Sequence, residues 1–348
     1  MTPVRGFLAR AGLAAGIAVL ALLAAPAQAA QVLKIATIAP EGSSWMREMR
    51  AAAAEIKQRT EGRVELKFYP GGVMGNDVAV LRKMKLGQLQ GGAFAGAELT
   101  SVYTDAQIYS LPFLFHDQAE VDHVRSKVDA EYRAGYEQVG LVALGFAGAG
   151  FAYLMGTRPL RSRDELLATK VWAPQADVFA QVTFQAGGIQ PIVLPITDVY
   201  PSLTTGLIET VGNTPSGTIA FQWHTRIKHL VDFPLTYVMG ILAVDKKAFE
   251  RLAPGDQAIT RELVDGGMNR LDLAMRKDNE AAMAALARQG IAVFRPDPQE
   301  RQFWVSIGEK ARETLAERKA FSPELYAKIQ AALAEYRAAH PAAAGASP

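Results

Sequence analysis

The run LKIAT at Leu33–Thr37 alternates apolar and polar side chains and reads as a strand. Ser43 and Ser44 then offer caps for a helix whose apolar face repeats at Trp45, Met49, Ala52 and Ile56. Gly62 stops that helix, since glycine tolerates the left-handed geometry of a C-terminus. VELKF at Val64–Phe68 alternates again and Pro70-Gly71-Gly72 breaks it. A helix from about Asn76 to Leu86 ends at Gly87, and GAFAG at Gly92–Gly96 is a strand of small residues. This β-α-β-α-β rhythm on short connections predicts a mainly parallel sheet covered by helices.

The rhythm returns further on. Lys170–Ala173 is a short strand stopped by Pro174, Asp177–Ala186 a helix and Ile189–Leu194 a strand. Thr197 caps a helix ending at Gly206, with Pro201 in its first turn, where a missing N–H is tolerated. Asp256–Gln289 reads as one helix closed by Gly290, long enough to run along two bodies. Ile291–Phe294 is a strand, and two C-terminal helices follow, the second opened by Ser322-Pro323. The Ala- and Pro-rich tail over 338–348 is expected to be disordered.

The N-terminus decides the compartment. Arg5 and Arg10 precede an apolar run from Ala11 to Ala25, and Pro26-Ala27-Gln28-Ala29 ends in a small-x-small pattern. Residues 1–29 therefore read as a cleaved signal peptide. The apolar run is shorter than the ~20 residues that span a bilayer as a helix, which disfavours the alternative of a retained anchor. Removing the leader leaves about 320 residues, too many for one ordinary core and enough for two lobes. It also removes two arginines and no acid, so the formal charge of +2 falls to about zero. Such a chain has no electrostatic footprint for nucleic acid or an anionic membrane. The absence of cysteine excludes disulfides, thiolate catalysis and Cys-ligated metal.

Signals of catalysis are missing. There is no Gly-x-Ser-x-Gly, no phosphate-loop lysine motif and no His-Glu-x-x-His. Gly148-Ala149-Gly150 opens like a dinucleotide fingerprint, but Tyr153 occupies the third glycine position. His224 and His229, near Asp232, are five apart and do not stack on one helical face, so they read as structural or solvated histidines. No cofactor and no metal is expected, although scattered catalytic residues would escape such a search.

Three motif stretches in register resemble the DctP-type family of TRAP transporter solute-binding proteins. They are Thr60–Val64 with Phe68–Gly72 and Met74-Gly75, then Leu111-Pro112-Phe113-Leu114-Phe115, then Leu194–Tyr200 continuing through Leu203 and Thr205–Glu209. Their order and spacing hold from about Leu33 to Asp245. The resemblance implies a two-lobed α/β periplasmic binding protein of the type II kind, with crossing hinge strands and a long lobe-spanning helix. Lobe I would comprise 30–150 plus about 239–278, and lobe II 151–238 plus about 279–337. Ligand would sit between the lobes, whose closure is a hinge motion. The loaded protein, a monomer, would dock on the small and large subunits of a TRAP membrane permease.

The departures concern the ligand. Members that bind carboxylates usually carry Arg in a strand reading K-x-R-x-P, where the guanidinium forks onto the carboxylate. Here the strand is Lys170-Val171-Trp172-Ala173-Pro174, with Trp172 in that place. A second family arginine, after Gly-Phe in the hinge strand, appears as Ala152. Asn213 matches the family asparagine that hydrogen-bonds ligand. The expected binding set is Trp172, Asn213, Phe151, Tyr153, Tyr200, Glu98, Gln175 and Thr37, with Glu98 able to pair with a cationic ligand group. Core packing competes with cleft lining for Phe151 and Tyr153, and Trp223 reads as a packing residue. The function expected is capture of a small organic solute, organic acid-like or ring-bearing, without an arginine clamp. A receptor-linked sensor or a periplasmic enzyme are the rival readings.

Overall fold

The computed structural model describes residues 30–341. The stretch 1–29, expected to be a signal peptide, lies outside the described residues, as does the tail from 342 onward. Among the described residues there are nine strands: β1 Gln31–Thr37, β2 Val64–Tyr69, β3 Gly91–Ala95, β4 Leu141–Gly156, β5 Trp172–Pro174, β6 Ile192–Leu194, β7 Thr210–Asn213, β8 His229–Asp245 and β9 Ala292–Phe294. The principal helices are α1 Ser44–Arg59, α2 Asp77–Lys85, α3 Gln118–Gln138, α4 Val178–Ala186, α5 Val199–Thr205, α6 Pro215–Ala220, α7 Pro254–Arg288, α8 Pro298–Glu317 and α9 Pro323–Ala339.

One sheet runs β2-β1-β3-β8-β4-β7, with β9 on the far half of β8. β1 pairs in parallel with β2 and β3, as the opening rhythm predicts. The rest is mixed, because β8 is antiparallel to β3 and to β4, and β4 to β7. The expectation of a mainly parallel sheet is thus corrected: two strands of 16 and 17 residues cross from one lobe to the other and cannot both run with their neighbours. Their register breaks between Gly148 and Gly150 and again on either side of Tyr153. Such irregularities bend a strand where it changes body. A short parallel β5–β6 pair extends the second lobe, joined to β7 by a bridge from Val171 to Thr210.

The local caps follow the sequence. Ser43 accepts from the Met46 N–H at 3.3 Å to open α1, and Gly206 (φ +72°) closes α5. The first lobe buries Leu33, Ile35, Met49, Ile56 and Phe68 together with Leu263, Val264 and Met268 of α7. The second buries Met155, Trp172, Val211, Trp223 and Leu286, again from α7. The 35-residue α7, about 53 Å long at 1.5 Å per residue, therefore enters both cores.

The last helix departs from the expected division, which placed everything from 279 to 337 in lobe II. α9 packs on α3, its Leu325, Ile329 and Leu333 sharing a core with Val121, Val124 and Val128. It also runs to Ala339, two residues into the stretch expected to be disordered. A stretch rich in Ala is a good helix former once a partner surface is at hand.

Candidate functional site

A cleft of about 740 Å³ is lined by Thr37 and the loop after β1, by Ala147–Ala149 of β4 and Val238–Gly240 of β8, and by Asn213–Phe221 of the second lobe. Met275, Asp278 and Ala282 of α7 border it as well. A smaller pocket of about 180 Å³ adjoins it through Ala95, Ile196, Asn213 and Val238, which line both. A cleft drawn from two bodies and their connecting strands, apolar with a few polar groups, is where small molecules bind.

Asn213 sits at the junction because β7 ends there, paired with Tyr153 of β4. Its Oδ1 accepts from the Thr214 N–H at 2.8 Å, which fixes the amide's orientation. The Nδ2 is then a buried donor with no partner among the described residues. Thr214 caps α6 by accepting from the Gly217 N–H at 3.1 Å, with Pro215 in the first turn. Behind this corner, Asn279 of α7 donates to the Ala149 carbonyl at 2.7 Å and accepts from the Ser216 N–H at 3.1 Å. The hinge bulge is thereby tied to the head of α6. Gly150 has φ +105°, and a Cβ there would lie 2.4 Å from the Asn279 amide nitrogen, so only glycine fits.

The smaller pocket is acidic. Glu98, Asp77 and Asp177 line it, and no arginine, lysine or histidine does so among the described residues. Burial, then repulsion from Asp77, holds the Glu98 carboxyl well above the usual carboxylate range, and its Oε2 has no partner. Burial pushes Asp77 up to about 6, and burial raises Asp177 too. Asp177 caps α4 by accepting from the Ala180 N–H at 2.8 Å and also accepts from Gln107 Nε2. Because that donor identifies the Gln107 nitrogen, the unpartnered atom of this buried side chain is its acceptor, Oε1.

The expected residues divide. Thr37 lines the large cleft, its hydroxyl accepting from the Ala39 N–H at 3.1 Å, and Asn213 lines both spaces. Glu98, Gln175 and Trp172 line the smaller pocket. Trp172 does so as a core residue: it is 2% exposed, its Nε1 donates to the Leu194 carbonyl at 3.0 Å and its ring meets Trp223 edge-on. Phe151 and Tyr153 do not reach the cleft. They border a separate groove behind the crossing strands, with Asp232 and Arg276. The bulge at Gly150 and the following register shifts turn their side chains to that face. Tyr200 lines neither space: its ring lies under Arg226, whose Nη2 donates to the hydroxyl at 3.4 Å. Trp223 is buried in the second core. Among the described residues no group of His, Asp or Glu comes together to hold a metal.

Asp77 and Asp177 of the smaller pocket and Phe221 of the cleft were not expected. Asp77 and Asp177 stand at helix starts, where an acid is accounted for by capping and the helix dipole. That role hid the cavity beside them.

Two α/β lobes on crossing strands, sharing a long helix and enclosing a cleft, define the class of two-lobed solute-binding proteins. Residues 35–319 match the model of bacterial extracellular solute-binding protein family 7, DctP, and the chain belongs to that family. The C4-dicarboxylate-binding periplasmic protein DctP of Rhodobacter capsulatus is 24% identical over 279 residues, 79% of this chain and 83% of its own. A TRAP periplasmic solute-binding protein of Xanthobacter autotrophicus Py2 with bound β-D-galacturonate has the same fold, with TM-score 0.80 and 20% identity over 87% of this chain and 99% of its own. One from Desulfovibrio salexigens with bound orotic acid gives TM-score 0.81 at 19% identity, covering 88% and 99%.

Proposed function

We propose that the exported protein works in the periplasm, capturing a small organic solute between its lobes and delivering it to the small and large subunits of a TRAP-type permease. The observation that carries this is the cleft of about 740 Å³ walled by both lobes and crossed by the two long strands. The solute is organic acid-like or ring-bearing. A C4-dicarboxylate, galacturonate and orotate are what the named relatives bind, and all three are acids. The grip has no arginine clamp: Trp172 and Ala152, standing where the resemblance puts arginines, both border the smaller pocket. Asn213 Nδ2 is a buried donor without a partner where the two spaces meet, and Arg47 and Arg288 border the larger cleft. Closure turns on the bulged region 148–153, with lobe I, 30–150 plus about 239–278, moving against lobe II, 151–238 plus about 279–337, and the protein acts as a monomer without turning its solute over.

The test is gentle purification, denaturation and mass spectrometry of whatever was retained, followed by adding that compound back. A ligand at a hundredfold excess over Kd stabilises the folded state by about 2.7 kcal/mol. Failure of any recovered or added small organic acid to raise the melting temperature would sink the proposal, and recovery of a chemically altered compound would point to an enzyme.

A further inference from the structure

We infer that the smaller pocket receives a cationic, nitrogen-bearing group of the solute, with Glu98 as its counter-charge and Asn213 holding the solute's acid end, so that the ligand is an amino-carboxylic zwitterion. This rests on the solute-capture reading and adds the ligand's charge pattern to it.

Three carboxyls, Asp77 from α2, Glu98 from the segment after β3 and Asp177 from the head of α4, face one pocket of about 180 Å³ that no basic side chain lines. The buried acids Asp256, Asp272 and Glu120 each meet a guanidinium; these three do not. The orphaned atoms match a two-signed guest. Glu98 Oε2 is an acceptor without a donor and Asn213 Nδ2 a donor without an acceptor, and both residues line this pocket. A buried polar atom left unpaired is destabilising, and a bound ammonium and carboxylate would remove that cost at both ends. A purely anionic guest would instead meet like charges in a site of reduced dielectric. Burial raises the pKa of all three carboxyls, with repulsion from Asp77 and Asp177 added at Glu98, so an arriving cation favours proton release, whereas a dianion favours proton uptake.

The experiment uses the exported protein and matched pairs: γ-aminobutyrate against succinate, δ-aminovalerate against glutarate, and para-aminomethylbenzoate against terephthalate. Each is followed by melting temperature and by calorimetry in two buffers of different ionisation enthalpy near neutral pH. The expected result is that the amino member of at least one pair binds more tightly and releases protons. Glu98→Gln should then weaken it by about tenfold or more, the scale of one charge-assisted hydrogen bond. Asp177→Asn, which keeps the cap of α4, serves as a second variant and should weaken it less. The inference is overturned if the dicarboxylate wins every pair, if Glu98→Gln leaves affinity within about twofold, or if no amino member binds. A retained natural solute without basic nitrogen overturns it while solute capture stands; no binding of any compound removes both.

Discussion

Glu120 and Glu98 belong to the same lobe, and they are treated in opposite ways. Glu120 is 3% exposed and fully answered: Arg337 donates to it at 2.7 and 2.9 Å, and the His116 N–H at 2.8 Å. Burial works to raise its pKa, but the Arg337 guanidinium, then His116, outweigh it and hold the carboxyl at about 2. Glu98 has no cation within its pocket, and burial with the nearby Asp77 pushes it the other way. A matched buried charge fastens elements together, here α9 onto the lobe that begins with β1. An unmatched one holds a wall ready for a guest and lowers the stability of the empty protein. That difference separates a joint from a site.

The aromatic wall of the same pocket falls on the joint side of the division. Trp172→Ala removes a side chain that is 2% exposed, a bond to Leu194 and the contact with Trp223. The expected loss is about 3–5 kcal/mol, read from urea unfolding. A variant as stable as the parent would show that Trp172 belongs to the ligand site alone. Arg337→Ala comes next. It strands a buried carboxylate and frees the Leu114 carbonyl, and since Arg337 is itself about a third exposed the low end of the buried-pair range applies, about 3 kcal/mol. Glu120's pKa is depressed, so its contribution is present above about pH 4.3 and is lost as pH falls through about 2. The variant and parent should therefore converge in acid. A gap in stability that persists unchanged down to the lowest pH would remove the ion pair as its cause.

How the sequence foretold these two regions differs. The β1-α1-β2-α2-β3 opening is legible because alternation, caps and glycine stops are local; Thr37, singled out at a strand end, and Asn213, matched to the family asparagine, both line the cleft. Phe151 and Tyr153 went to the wrong face because one left-handed Gly150 and two register shifts reset which side of β4 points inward. A period of two cannot report that. Tyr200 was drawn to the site by a motif, yet its ring is held outside by Arg226, 26 residues on. The acidic pocket was legible only at Glu98, which was expected to meet a cationic ligand group. Asp77 and Asp177 are far from it in the chain, and each has a sufficient local explanation at a helix start. Only their convergence without a cation makes them unusual.

Asp77→Asn tests that convergence from the stability side. Raising an aspartate from its ordinary 3.8 to about 6 corresponds to about 3 kcal/mol of penalty on the charged form. Losing an acid in the first turn of α2 offsets up to about 1 kcal/mol, leaving a net gain of about 2 kcal/mol for the variant at neutral pH. The sign follows from the raised pKa. The protonated carboxyl is tolerated below its unfolded value, and stability falls as pH rises from about 4 through about 6. Parent and variant should therefore match at pH 4 and part above pH 6. Equal stabilities at pH 7 would mean that Asp77 already has a compensating charge.

The smallest effect is expected at Tyr200. Its hydroxyl hydrogen-bonds with Thr225 and the exposed Arg226, and it borders neither the cleft nor the smaller pocket. Tyr200→Phe keeps the ring beneath the guanidinium and deletes only solvent-screened bonds. The melting temperature should be unchanged and the affinity for a retained solute should stay within about twofold. A larger loss of affinity would mean that α5 swings into the cleft when ligand is bound. The unpaired acids would then be only part of the wall that the guest meets.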